Sequence, residues 1–216
     1  MNLKKTFKVS LVLFGTSGLL FAETPQPQTK SQNTQKVWNF DADKENEVPV
    51  GFESYIGKWV IKTDPSAPSK PNVLAQSATH ETWPGIVVQD SNYKNVSLEV
   101  KFKAISGNED QAAGIIFRYK DSGNFYVFRA NADEDNAVLF KFENGHRSSI
   151  KDYRVKVTHN TWSSIKVIAM NNSIICFFNG QKLFTIQNDL YKEGKIGLWT
   201  TADSVTYFDD FAAKGL

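Results

Sequence analysis

The sequence has almost no cysteine: Cys176 is the single one among 216 residues. An internal disulfide is therefore excluded, and the chain must be stabilised by a hydrophobic core of its own. Cys176 lies in the apolar run at residues 174–178. That position predicts a small buried side chain rather than a nucleophile, because the sequence offers no candidate base to activate the thiol.

Segments rich in basic residues are missing once the N terminus is set aside. Residues 1–22 contain three lysines and no acid, which leaves 25 − 3 = 22 basic and 23 acidic side chains in the rest of the chain. A nearly neutral chain without a Lys/Arg-dense segment is not expected to bind nucleic acid or an anionic membrane surface.

No apolar run reaches the roughly 20 residues that span a bilayer. Residues 1–22 instead have the parts of a secretion signal, with Lys4, Lys5 and Lys8 before the apolar residues 9–20 and the small Ala22 at the end. We predict a signal peptide at 1–22 and an exported protein, periplasmic or extracellular, with an uncleaved membrane anchor as the alternative. Residues 23–36 lack aromatic and branched aliphatic side chains, which predicts a disordered linker.

Helical periodicity longer than a turn or two is absent, and about a dozen short strands are predicted instead. Residues 96–102 alternate apolar and polar side chains, as is typical of a half-exposed antiparallel strand. Residues 111–131 predict a hairpin with its turn at 121–124, and Asn179-Gly180 predicts another. Further strands are predicted at residues 37–41, 58–62, 137–142, 163–170, 173–178, 182–186, 195–200 and 205–212, and a surface loop at 63–72.

This pattern predicts an all-β fold, a two-sheet antiparallel β-sandwich of jelly-roll type that covers residues 37–216. The sequence contains 16 Phe and 5 Trp. Large rings fill the space between two packed sheets efficiently, so we expect most of them to lie in the core.

Several short motifs occur in an order that resembles a known superfamily. They are Gly57-x-Trp59, the strand at 96–102, Gly114-Ile115-Ile116-Phe117-Arg118, Asn124-x-Tyr126, Asn179-Gly180, Gly194-x-x-Gly197-Leu198-Trp199 and Phe208-Asp209-Asp210-Phe211. The set resembles the concanavalin A-like lectin/glucanase superfamily, and within it the bacterial 3-keto-disaccharide hydrolase domain family and its laminin-G-like relatives. The resemblance covers residues 38–213 and implies a jelly roll of two curved sheets, with a saccharide held on the concave sheet face where a relative binds one.

The resemblance does not extend to the glucanase catalytic motif, in which two glutamates and an aspartate share one strand. Glu99 is a lone carboxylate on the outward side of its strand, and Glu109 and Asp110 lie in a loop. Glycosidases need two carboxyl groups about 5 to 9.5 Å apart. The catalytic residues therefore stay unassigned, and a pair assembled from different loops remains open.

Arg118 is the candidate for ligand binding. It shares a strand face with Gly114 and Ile116, which predicts an accessible guanidinium on an apolar sheet surface, with Tyr126 beside it through the hairpin. Arginine donates paired hydrogen bonds to hydroxyl groups, and an aromatic ring packs on the apolar face of a sugar. The alternative is an Arg118 paired with a neighbouring acid.

Two further residues are predicted to line the same groove. Lys141 lies on the strand that leads to the Asn144-Gly145 turn, and Trp199 lies near the end of the domain. For Trp199, packing in the core is the stronger alternative, because large aromatic rings are mostly buried.

Asp209 and Asp210 on the last strand are expected to approach Asp41, because the first and last strands of such sandwiches often pair. Carboxylate oxygens suit a Ca²⁺ ion, so the three residues are candidate ligands of a structural calcium. The alternative is that each carboxylate accepts hydrogen bonds from the backbone or from lysine. No other cofactor is expected.

The sequence therefore predicts an exported domain that binds a carbohydrate on the concave sheet face. Two alternatives stay open. One is a glycoside hydrolase similar to the 3-keto-disaccharide hydrolases, and the other is an adhesion module of laminin-G type in which the concave face is filled.

Overall fold

The structure is a computed structural model that describes residues 34–216. The predicted signal peptide at 1–22, and the predicted linker up to residue 33, lie outside the described residues. Residues 34–216 contain strands, turns and loops, and no helix there is long and apolar enough to cross a membrane. The predicted all-β class is confirmed.

Fifteen strands make up the described part of the chain. They are β1 (Lys36–Trp38), β2 (Phe52–Ile56), β3 (Trp59–Thr63), β4 (Asn72–Gln76), β5 (Gly85–Val88), β6 (Val96–Ser106), β7 (Ala112–Asp121), β8 (Asn124–Asn131), β9 (Asn136–Glu143), β10 (His146–Arg154), β11 (Ser163–Met170), β12 (Ser173–Phe178), β13 (Gln181–Gln187), β14 (Lys195–Trp199) and β15 (Val205–Gly215).

The strands form two antiparallel sheets. The eight-stranded sheet has the order β13-β12-β11-β6-β15-β4-β3, and β1 pairs with β15 beside this path. The seven-stranded sheet has the order β10-β9-β8-β7-β14-β5-β2. The first and last strands therefore pair as predicted, and β7 and β8 form the predicted hairpin.

The main core lies between the two sheets. Along β6 the even-numbered positions from Val96 to Ala104 are buried and the intervening residues are more exposed, as the alternation of the sequence predicted. Cys176 is fully buried in this core, which confirms its expected role as a small apolar side chain.

Four strands were not predicted, namely β2, β4, β5 and β10. Strand β5 is short and buried at every position, so it shows no alternation. Strand β10 is the opposite case, because none of its nine residues is buried. Both patterns lack the period of two by which a half-buried strand is recognised.

A second apolar cluster covers the outer face of the seven-stranded sheet, the face turned away from the eight-stranded sheet. Its buried members come from β5, β7, β8, β9 and β14 and are Val87, Ile116, Phe125, Val127, Phe142 and Trp199. Tyr55, Trp83, Tyr119 and Phe140 pack against this cluster and are partly exposed. The outer face therefore presents an aromatic surface.

Candidate functional site

Arg118 does not lie on the outer face, and the prediction of an accessible guanidinium is wrong. Its backbone takes φ 51°, a left-handed conformation that breaks the alternation of β7, and the pairing with β8 shifts register after Phe117. The side chain is 1% exposed. Alternation of sides holds only along a regular strand, so the irregularity overturns the prediction.

The guanidinium of Arg118 joins three loops inside the molecule. Nη1 donates to the carbonyl of Tyr191 at 2.9 Å, and Nη2 donates to the carbonyls of Lys94 and Asn171 at 3.2 and 2.6 Å. These partners are backbone carbonyls, so the alternative of a pairing with an acid is also wrong. Burial lowers the pKa of Arg118, because the charged form is desolvated.

Tyr126 is close to Arg118, but it too is buried. Its ring stacks on Phe117 with centroids 5.2 Å apart, and its hydroxyl accepts a hydrogen bond from the backbone N–H of Tyr191 at 3.3 Å. The hairpin thus brings Tyr126 and Arg118 to one neighbourhood, as predicted, and places both inside the sandwich instead of in a groove.

Lys141 and Trp199 lie on opposite faces of the seven-stranded sheet. Lys141 alternates with Phe140 and Phe142, so it points away from the outer face, and its Nζ pairs with Glu143 at 2.8 Å. Trp199 is fully buried in the outer-face cluster. The structure therefore does not bring Lys141 to the same groove as Trp199.

The three proposed calcium ligands do not converge on one site. Asp209 accepts hydrogen bonds from the backbone N–H and the hydroxyl of Ser69, both at 2.8 Å, and Asp210 pairs with Lys101 at 2.8 Å. Asp41 accepts from the backbone N–H of Asn72 at 3.1 Å. Residues 34–216 contain no group of three or more His, Cys, Asp or Glu side chains placed to hold a metal ion. The alternative of carboxylates bonded by protein donors is the one observed.

A groove of about 450 Å³ opens beside the aromatic surface. It is lined by residues 79–83, by Glu109, by Arg147 at the start of β10, and by residues 201–203. Three loops thus meet there, and they precede β5, precede β7 and follow β14. Neighbouring strands of the seven-stranded sheet carry these loops, which is why segments far apart in sequence form one site.

Arg147 and Trp83 form one wall of the groove. The guanidinium carbon of Arg147 lies 5.7 Å from the ring centroid of Trp83 and 4.8 Å from that of Phe140. Trp83 packs edge-on against Phe142 with centroids 4.9 Å apart. Arg147 is exposed, and within residues 34–216 its side chain makes no hydrogen bond and no ion pair, although the charges of Asp110 and Glu134 act on it; its donors remain available.

A charged cluster lies next to this wall. Arg129 is 3% exposed, and its Nη2 donates to Glu134 and to Asn136, each at 2.6 Å. Its Nη1 lies 3.9 Å from the carboxylate of Asp110. Two carboxylates from different loops thus share one buried guanidinium.

The two carboxyl groups of this cluster have different electrostatic surroundings. Burial raises the pKa of Asp110 and outweighs the opposing charge of Arg129. Burial also opposes ionisation of Glu134, but its hydrogen bond and ion pair with Arg129 prevail and lower its pKa. The two pKa values therefore move in opposite directions.

Asp203 holds the loop that presents Glu109 and Asp110. Its carboxylate accepts hydrogen bonds from the backbone N–H groups of Asn108, Glu109 and Asp110 at 2.5, 3.0 and 3.1 Å. Burial opposes ionisation of Asp203, yet these amides outweigh it and lower its pKa. These hydrogen bonds join the loop that follows β14 to the loop that precedes β7.

The sequence contained one usable signal for this site. Arg129 follows Phe125 and Val127 with a spacing of two residues in β8, so a regular strand places it on the outer face with them. The same alternation does not hold at Arg118, where β7 is irregular. It holds for Arg129 because every residue from Phe125 to Asn131 has its register partner on β9.

Comparisons with known proteins agree with this architecture. The family model described as 3-keto-alpha-glucoside-1,2-lyase-like domain matches residues 51–214. A levanase of Bacillus subtilis (strain 168) is 29% identical over 113 residues, which are 52% of this chain and 17% of the levanase. The chain thus spans about a sixth of the length of that relative.

Two solved structures share the fold. The carbohydrate binding module CBM66 from Bacillus subtilis superposes with a TM-score of 0.67 at 20% identity, over 76% of this chain and 96% of that module. A putative glycosyl hydrolase from Parabacteroides distasonis superposes with a TM-score of 0.54 at 15% identity, over 79% and 91% of the two chains. The predicted jelly-roll fold is confirmed, and the chain belongs to the family of 3-keto-alpha-glucoside-1,2-lyase-like domains.

Proposed function

We propose that this domain binds a carbohydrate in the groove that has Trp83 and Arg147 as one wall. The observation that carries the proposal is the state of Arg147, which lies on two aromatic rings and makes no side-chain hydrogen bond or ion pair among residues 34–216. A guanidinium in a groove with its donors unused is suited to paired hydrogen bonds with neighbouring hydroxyl groups.

The other lining residues support the same ligand class. Trp83 is partly exposed and offers a ring on which the apolar face of a sugar can pack. Glu109 and Asp203 supply oxygens that accept hydrogen bonds from hydroxyl groups. An aromatic ring together with donors and acceptors on several sides is the arrangement that a polyhydroxylated ligand requires.

The relatives support the proposal from a separate direction. One structural neighbour is named a carbohydrate binding module, another a putative glycosyl hydrolase, and the matching sequence relative is a levanase. The predicted signal peptide adds that the ligand would be met outside the cytoplasm, in the periplasm or beyond the cell. We propose no nucleic-acid or membrane partner for the exported protein, and no cofactor.

A second candidate function is catalysis on the same sugar. Asp110 and Glu134 share Arg129, and their pKa values are shifted in opposite directions. Such a pair suits one group to donate a proton and the other to accept one. The family description, a 3-keto-alpha-glucoside-1,2-lyase-like domain, supports testing this activity.

The proposal is tested with the full-length protein and a panel of soluble ligands. Levan-derived oligosaccharides and 3-keto-α-glucosides are titrated by calorimetry, and product release is followed separately by chromatography. We expect saturable binding of at least one ligand by the wild type. Trp83→Ala should weaken that binding at least tenfold, because a stacking surface worth about 1.5 kcal/mol or more is removed.

Trp162→Ala is the matched control, since Trp162 is partly exposed, immediately precedes β11 and lies outside the groove. It should leave affinity unchanged. Equal losses in the two variants, or the absence of binding to every member of the panel, would contradict the proposed groove. Product release that stops in Asp110→Asn would establish the second candidate.

A further inference from the structure

Unpaired polar atoms are concentrated on the outer face of the seven-stranded sheet. Four buried side-chain nitrogen or oxygen atoms of residues 34–216 have no hydrogen-bond partner, and three of them belong to Tyr55, Arg129 and Trp199. The register places Arg129, Gly114, Trp199 and Gly85 side by side on neighbouring strands. Buried polar groups nearly always have a partner, so this concentration requires an explanation.

Glycines make room for two of these side chains. The indole of Trp199 lies across Gly114, where its Cε3 is 3.2 Å from the position that a Cβ would take. The hydroxyl of Tyr55 occupies the space that a side chain at Gly85 would fill. Because Gly85 is the register partner of Trp199, the Tyr55 hydroxyl lies on the strand next to the indole.

The unpaired atoms of Trp199 and Tyr55 have complementary chemistry. The indole Nε1–H of Trp199 can only donate, whereas the hydroxyl of Tyr55 can donate or accept. An apolar alternative at either position would avoid the burial of an unpaired group, and phenylalanine would fill nearly the same volume as tyrosine. One oxygen atom held between them would satisfy both groups.

Trp83 closes this part of the face toward the groove. It packs against the same cluster and lies two residues before Gly85 in the chain. Its ring packs edge-on against Phe142 and lies beneath the guanidinium of Arg147, and within residues 34–216 its indole makes no hydrogen bond. A rotation of Trp83 would therefore connect the groove to the unpaired atoms without breaking a hydrogen bond.

We propose, on the basis of the carbohydrate-binding function above, that Trp199 and Tyr55 form a deep subsite for one oxygen of the bound sugar. Trp199 Nε1 donates to that oxygen, and Tyr55 Oη completes its coordination as a hydrogen-bond partner. Trp83 rotates when the sugar enters, and its ring then packs on the sugar. A hydroxyl or a carbonyl oxygen fits this subsite, and a charged group does not, because neither residue carries a charge.

The test compares Tyr55→Phe and Trp199→Phe with the wild type, using the levan-derived oligosaccharide or 3-keto-α-glucoside that the wild type binds. Each variant removes one polar atom from the pair. We expect ligand affinity to fall at least tenfold in each, while the melting temperature of Tyr55→Phe stays the same or rises because an unpaired group has been removed. Tyr119→Phe, in the same cluster, is the control and should bind as the wild type does.

Affinities of Tyr55→Phe and Trp199→Phe within twofold of the wild type would overturn the subsite and leave the groove proposal intact. A wild type that binds no ligand would instead overturn the groove. Should Trp199→Phe fail to fold, the indole N–H signal of Trp199 in the wild type replaces it: a shift on ligand saturation supports the subsite, and an unchanged signal contradicts it.

Discussion

Trp199 lies directly opposite Gly114 in the pairing of β14 with β7, and its indole covers the glycine. A methyl group at residue 114 would meet Val127 Cγ2 at 2.8 Å and Trp199 Cε3 at 3.2 Å. Val127 and Trp199 are both buried in the outer-face cluster, so these side chains must shift to admit the methyl group. Because Gly114 has no side chain, the indole of Trp199 can pack over it on the outer face.

Gly114→Ala is therefore expected to lower the free energy of unfolding by about 1–3 kcal/mol, the usual cost of overpacking. It should also weaken sugar binding, because Trp199 moves. Chemical denaturation and calorimetric titration measure the two effects. Ser148→Ala on the exposed strand β10 is the control, and a Gly114→Ala protein as stable as this control would show that the indole does not need the glycine.

Arg118 is expected to matter for stability and not for ligand binding. Arg118→Met keeps the length of the side chain but leaves the carbonyls of Lys94, Asn171 and Tyr191 without their donor. The free energy of unfolding should fall by about 3 kcal/mol or more. Lys120→Met, at an exposed neighbouring position, should change it little.

Sugar affinity of the folded Arg118→Met protein should equal that of the wild type, measured at a temperature where both are native. A large loss of affinity at unchanged stability would restore Arg118 to the binding site and contradict its buried placement.

Asp209 is expected to lower the free energy of unfolding as pH rises, the opposite of the usual effect of a carboxylate in a folded protein. Burial raises the pKa of Asp209 from its ordinary value of 3.8 to about 6. The folded state therefore favours the protonated carboxyl, and the stabilisation from this proton is complete below about pH 4 and is lost as pH rises through about 6.

Between pH 4 and pH 7 the wild type should lose on the order of 2 kcal/mol of unfolding free energy through this group. Asp209→Asn cannot titrate and should lack this component, so the difference between the two proteins should change with pH. Urea denaturation at several pH values measures it. A difference that stays constant from pH 4 to 7 would mean that Asp209 is ionised throughout in the folded protein.

The alternation of apolar residues predicted the fold but not every side-chain direction. Strands such as β6 and β11 are regular and half-buried, so their sequence period reports directly on burial. Arg118 sits at a register shift with a positive φ, which a residue count along the strand does not reveal. Arg129 lies on a regular strand, and there a residue count from Phe125 and Val127 gives the correct face.

The groove itself was beyond prediction from local patterns. Its wall combines Trp83, from a loop before β5, with Arg147, from an exposed strand without apolar alternation. Their contact depends on the order of strands in the seven-stranded sheet, in which β9 and β10 lie far from β5 in sequence. Such an arrangement follows from topology, and no window of the sequence encodes it.

The central claim is that Arg147 binds the sugar, and its substitution tests this most directly. Arg147→Ala is titrated with the oligosaccharide that the wild type binds, beside Arg154→Ala, which removes an exposed arginine from the same strand. We expect Arg147→Ala to weaken binding at least tenfold at an unchanged melting temperature, with Arg154→Ala equal to the wild type. Wild-type affinity in Arg147→Ala would contradict the account.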